Sequence, residues 1–197
     1  MIRVGRKGLQ SGPSAGECRT LTKNFREHNV IRLPRFFSRE LRDQLAREFA
    51  GAASKRVRDA GGSESELCDS PVTAAVIFLL NERRLLDAVE RVTGLKRLRA
   101  FVGRVYRLEP AHRDAMGWHS DALKKRRVAL SINLGAKRYT GGTLEFRDAR
   151  TKRPLGSAPN RGFGNAVLFR VTRMIEHRVT PVTGRHPKIA FAGWFTS

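Results

Sequence analysis

Thr140-Gly141-Gly142-Thr143-Leu144-Glu145-Phe146 sets a double-glycine turn directly before a β-prone run. The device returns at Gly162-Phe163-Gly164, which leads into Ala166-Val167-Leu168-Phe169. Working outward, residues 98–106 alternate in part, residues 128–134 are apolar and β-prone, and residues 179–182 and 189–195 complete the set. Short strands parted by glycine turns, with the helical patterns gathered at the front, predict a mainly β fold. The expected architecture is a jelly roll, a double-stranded β-helix, buttressed by N-terminal helices.

The front of the chain reads differently. Val30-Ile31-Arg32-Leu33-Pro34 is a short strand closed by proline, and Ser38 caps a helix carrying Leu41, Leu45 and Phe49 at four-residue spacing. Residues 51–66, small and charged, read as a loop. Asp69-Ser70-Pro71 supplies a cap and an N1 proline for one helix through Val72, Val76, Leu80, Leu86 and Val89, which Gly94 ends. Residues 1–20 read as a flexible basic arm and residues 21–197 as one domain, with its β core at 98–197.

Composition limits the partners. The chain has 197 residues, with 39 Lys+Arg against 18 Asp+Glu, a net charge of +21. Such a charge bears on association rather than fold. It leaves nucleic acid, an acidic carrier protein, an acidic peptide, an anionic metabolite and an anionic membrane surface open as partners. Two cysteines, Cys18 and Cys68, without CxxC spacing argue against a disulfide framework and for a reducing compartment. No apolar run approaches the roughly 18 residues of a membrane span, and the first residues lack the apolar core of a signal peptide. A cytoplasmic protein is expected.

Two stretches carry candidate chemistry: Gly117-Trp118-His119-Ser120-Asp121 and Glu176-His177-Arg178-Val179-Thr180-Pro181. On a strand, His-x-Asp puts both side chains on one face. A second His from a distant strand then closes a facial triad, the geometry of Fe(II) oxygenases. A rival pair, His112-Arg113-Asp114, follows Glu109-Pro110-Ala111 and reads as the loop leading into the site.

From Leu98 to Phe195 the order of features resembles the 2-oxoglutarate- and Fe(II)-dependent oxygenases, in particular their prolyl-4-hydroxylase-like branch. Those features are Tyr106, His119/Asp121, an Arg-containing strand from Arg127 to Leu134, Gly141 to Phe146, Gly164 before Val167-Leu168-Phe169, His177 to Val182, a late basic residue and Gly193-Trp194-Phe195. The resemblance implies that His119, Asp121 and His177 hold Fe(II), and that Lys188 pairs with the distal carboxylate of 2-oxoglutarate. Lys188 is preferred to Arg185 because it begins a strand, whereas Arg185 sits in a turn. Tyr106 and Asn133 are implied as further 2-oxoglutarate residues, and Ser131, Ala190 and Trp194 as pocket wall. No catalytic residue beyond the iron ligands is implied. The resemblance also implies O2 as co-substrate, and hydroxylation of an acidic or carrier- or peptide-bound substrate with release of succinate and CO2. The competing expectation is a non-catalytic jelly roll that binds RNA or another polyanion through its charge.

Overall fold

Gly8, at a φ of +98°, turns an N-terminal hairpin of β1 (Arg3–Gly5) and β2 (Gly8–Ser11), a backbone geometry that favours glycine. In this computed structural model residues 1–50, 54–58, 64–68, 71–123 and 125–197 are described. Helix α1 (Ala15–His28) starts at a capping box in which Ser14 and Glu17 satisfy each other's backbone N–H groups. Then follow β3 (Val30–Leu33), α2 (Arg39–Ala50), β4 (Ser54–Arg58), β5 (Glu64–Cys68), α3 (Pro71–Leu80) and α4 (Arg83–Thr93). The β core runs through β6 (Ala100–Leu108), a 3-10 turn at Pro110–His112, β7 (Met116–His119), β8 (Arg126–Asn133), β9 (Thr140–Gly141) and β10 (Leu144–Asp148). It ends with β11 (Pro154–Ala158), β12 (Ala166–Arg170), β13 (Ile175–Val179), β14 (Val182–Thr183) and β15 (Lys188–Thr196).

Two sheets dominate among the described residues: a seven-stranded one ordered β3-β12-β8-β15-β6-β5-β4 and a four-stranded one ordered β11-β10-β13-β7. This is the expected mainly β, jelly-roll architecture with helices in front, its sheets packed but not closed. Strand alternation divides the core. On β15, Phe191 and Phe195 point with Phe101 into the cluster beneath the helices. Ala129, Leu144, Phe146 and Phe169 fill the space between the two sheets.

Gly193 lies directly across from Gly103 on β6, and a Cβ there would come within 2.1 Å of the Val102 carbonyl oxygen. Both obstacles nearest it are backbone, so relief requires the strands to part. Gly193→Ala is expected to destabilise the fold by about 1–3 kcal/mol, the usual cost of overpacking, measured by urea unfolding.

Four expectations change. Residues 1–20 are not a flexible arm: Ile2 and Val4 are fully buried, and Val4 bridges Phe37. Charge hid an amphipathic hairpin and a helix whose capping box was readable as Ser14-x-x-Glu17. Within 51–66, β4 and β5 form an antiparallel hairpin that extends the large sheet from β6. Polar strands form there because an existing edge offers ladder partners, which overrides propensity. The rest of that stretch, like the Asp69-Ser70 cap, lies outside the described residues. The single long helix is two, α3 and α4, parted at Asn81, whose side-chain amide bonds both the Phe101 N–H and its carbonyl. Finally, no single strand spans 179–182: β13 begins earlier, contains His177 and ends at Val179, and β14 starts at Val182.

Candidate active site

β7 and β13 are adjacent antiparallel strands, and their register sets His119 directly opposite His177. Directly opposed residues bring their side chains together, and the two imidazole centroids lie 4.3 Å apart. Asp121 joins them by a different route from the one expected. β7 ends at His119, so Asp121 does not share a strand with it. Instead the Ser120 hydroxyl donates to the Thr172 carbonyl and accepts from the Ala122 N–H, and that turn carries Asp121 back toward the imidazoles. Asp121 Oδ2 is 3.4 Å from His177 Nε2, and Oδ1 is 3.8 Å from His119 Nε2. One donor atom from each of the three lies within 4.8 Å of the others, a group that could hold a metal ion.

The protonation chemistry suits metal ligation. His119 Nδ1 sits 2.8 Å from the Gly117 carbonyl, which can only accept, so the ring proton belongs on Nδ1 and Nε2 presents its lone pair inward. His177 is buried, with Phe169 and Phe146 beside it. Burial lowers its pKa, against the opposing pull of Asp121, and keeps the imidazole neutral.

These side chains open on a cavity of about 680 Å³ between the sheets. Lys188, Ala190, Ala192 and Trp194 alternate along β15 and all line it, and Tyr106 faces it from β6. Lys188 is buried, and among the described residues it meets no carboxylate; its ammonium donates to the Gly142 carbonyl. Burial pushes its pKa down to about 8. An unpaired cation in such a place fits an anionic ligand. The double glycine makes room for it, since a Cβ on Gly142 would come within 2.8 Å of Lys188 Cδ. The donor set and this cation therefore fit Fe(II) and 2-oxoglutarate respectively.

Ser131 also lines the cavity, but Asn133 does not. Asn133 is buried opposite Ala190 on β15, with its Oδ1 accepting from the Gly135 N–H at 3.2 Å. Arg185 is exposed in the 184–187 turn. Trp118 faces away from the cavity, with Arg147 and Arg178 over its ring at 4.2 and 4.8 Å. The rival pair separates: His112 is exposed, while Asp114 is buried in an ion pair with Arg56 and accepts from the Glu109 N–H. Asp114→Asn is expected to cost about 1–3 kcal/mol of stability, the scale of hydrogen bonds to a charged group whose surviving partner is part-exposed, and to leave Fe(II) affinity unchanged. Chemical denaturation and a metal titration check both halves.

The sequence places Arg126 only within the basic run Lys124-Lys125-Arg126-Arg127, expected near the site mouth as a solvated turn or as a clamp for an acidic substrate, without saying which cation enters the cavity; Lys124 lies outside the described residues, and Arg126 begins β8. Ala129 and Ser131 face the cavity, so strict alternation would send Arg127 inward. A register shift between Phe195 and Thr196 pairs Val128 with Phe195 and Arg126 with Thr196, which brings Arg126 to the cavity instead. Its guanidinium lies 3.5 Å over the Trp194 ring and 3.6 Å from Asp121 Oδ1.

A family model described as the 2OG-Fe(II) oxygenase superfamily matches residues 104–196. No curated protein sequence matches the chain. Among solved structures, an oxidoreductase of the 2OG-Fe(II) oxygenase family from Burkholderia pseudomallei superposes with a TM-score of 0.67 at 16% identity, covering 100% of this chain and 95% of that one. A Pseudomonas putida prolyl-4-hydroxylase gives 0.65 at 18% identity, over 91% and 98% of the two chains. A Trichoplax adhaerens prolyl hydroxylase, in complex with a peptide fragment from the oxygen degradation domain of hypoxia inducible factor, gives 0.65 at 14%, over 91% and 88%. Residues 104–196, the C-terminal β core, thus match the 2OG-Fe(II) oxygenase superfamily, and the chain has a prolyl-4-hydroxylase-like fold. It is an oxygenase that uses Fe(II) and 2-oxoglutarate. Among the described residues no helix is long and apolar enough to cross a membrane.

Proposed function

We propose that His119, Asp121 and His177 hold Fe(II), that Lys188 anchors the distal carboxylate of 2-oxoglutarate, and that the enzyme hydroxylates an unactivated C–H bond of an acidic or carrier- or peptide-bound substrate. The overall reaction consumes substrate, O2 and 2-oxoglutarate and yields hydroxylated product, succinate and CO2. The observation that carries this reading is one cavity joining a two-His, one-carboxylate group to a buried, unpaired lysine. The iron and its co-substrate supply the oxidising power. The chain supplies the rest. His119 and His177 present neutral nitrogens, and Asp121 supplies the negative ligand. Lys188 fixes the far end of the co-substrate, Tyr106 flanks it, and Ala190 leaves it room. Ser131 and Trp194 wall the pocket.

Anaerobic addition of Fe(II) and then 2-oxoglutarate tests the site directly. A visible charge-transfer band is expected, followed by succinate formation once oxygen is admitted. A protein that binds RNA but shows neither signal would be the non-catalytic jelly roll instead.

A further inference from the structure

We propose that the catalytic cavity binds an anionic oxygen group of the substrate, a carboxylate or a phosphate, through Arg126 and Arg104. This rests on the iron and 2-oxoglutarate assignments above. Among the described residues lining the cavity, the charged groups are Arg104, Arg126 and Lys188 against the single carboxylate of Asp121. Fe(II) and 2-oxoglutarate carry opposite double charges and cancel. Two positive charges are then left without a counter-charge, at a site where exclusion of water strengthens every electrostatic interaction.

A net charge of +21 makes surface cations ordinary, but Arg126 is not an ordinary one. Its side chain is only 23% exposed and is pinned face-on to Trp194. Its one carboxylate neighbour among the described residues is Asp121. Metal binding draws on that same carboxylate, so loading the site frees Arg126 for another anion without moving it. Arg104 stands exposed on β6, two residues before Tyr106 on the same face, and among the described residues it meets no carboxylate. It lies opposite Ala192, the neighbour of Trp194 along the cavity face of β15. Lys188 is four residues back, about 13 Å along an extended strand. The two arginines therefore form a separate anion site toward the other end of the strand from the co-substrate cation. A planar guanidinium held in place suits the paired oxygens of a carboxylate or phosphate.

The test uses full-length protein loaded with Mn(II) and 2-oxoglutarate, with methylphosphonate, 13C-acetate and neutral 13C-acetamide as probes. Paramagnetic relaxation falls steeply with distance, so ions scattered over the basic surface stay silent and a probe in the cavity does not. The expected result is strong relaxation of an anionic probe but not of acetamide, with the affinity lowered about 10- to 100-fold in Arg126→Gln and in Arg104→Gln. It should be only partly kept in Arg126→Lys, which retains the charge but not the stacked fork, and unchanged in the remote control Arg19→Gln. Preference for phosphonate or for acetate then assigns the group. Equal relaxation by acetamide, or binding that survives both glutamine substitutions because the metal alone captures the anion, overturns the proposal while the iron site stands. Failure of Mn(II) to bind at all overturns the iron assignment, and this proposal with it.

Discussion

His177→Ala and Asp121→Ala should each lower succinate formation by more than about 100-fold. That is beyond the 10- to 100-fold that residues supporting a metal ligand typically cost, because on the proposed assignment each substitution removes a ligand itself. His177 contributes a neutral nitrogen from a buried position directly across from His119, and no other described imidazole joins that group. Asp121 is the one carboxylate of the proposed ligand group, reached through a turn fixed by Ser120 rather than through strand alternation. Truncating His177 also leaves a void beside Phe169 and Phe146, so His177→Gln, closer in volume, separates lost ligation from lost packing. Fe(II) titration with succinate assay reads the result. Turnover undiminished in either alanine variant would sink the iron assignment.

Lys188→Met should weaken 2-oxoglutarate binding by about 10- to 100-fold, the scale of a charge-assisted hydrogen bond, while leaving the cofactor-free protein as stable or more so. The two effects diverge because the empty protein buries an ammonium that no described carboxylate compensates. The sign of the pH dependence follows. Lysine titrates near 10.5 when unfolded, and burial brings Lys188 down to about 8. Between those values the unfolded chain binds more protons than the folded one, so stability rises with pH. The penalty is full below about pH 8 and is relieved by about pH 10.5. Thermal melts of the cofactor-free enzyme should show this slope, and Lys188→Met should remove it. 2-Oxoglutarate affinity should fall as pH climbs past 8 and the ammonium loses its proton. A pH-independent affinity across that range would remove Lys188 from the co-substrate site.

Elements held by local signals were legible in the sequence. The helix after Ser38 is α2, with Leu41, Leu45 and Phe49 buried as their spacing requires. Gly94 ends α4 in the left-handed conformation expected of a C-terminal glycine. The four residues Lys188, Ala190, Ala192 and Trp194 share one cavity face because alternation along a single strand is a local rule. Other features depend on partners distant in sequence. The β4–β5 hairpin exists because β6 offers it an edge. The break at Asn81 needs the Phe101 backbone, and the pairing of Asp114 with Arg56 spans 58 residues.

The site divides along the same line. The residue types proposed to carry the chemistry, His119, Asp121, His177 and a late lysine, were legible in the sequence alone, because two imidazoles, a carboxylate and a strand-borne cation are chemical facts before they are geometric ones. Their meeting was decided by the tertiary fold, through the β7–β13 register and the Ser120 turn. So was the presence of Arg126, since a single register shift at the start of β8 changes which residue faces the cavity. Register is fixed by pairing between strands rather than within them, and no spacing along one chain segment encodes it.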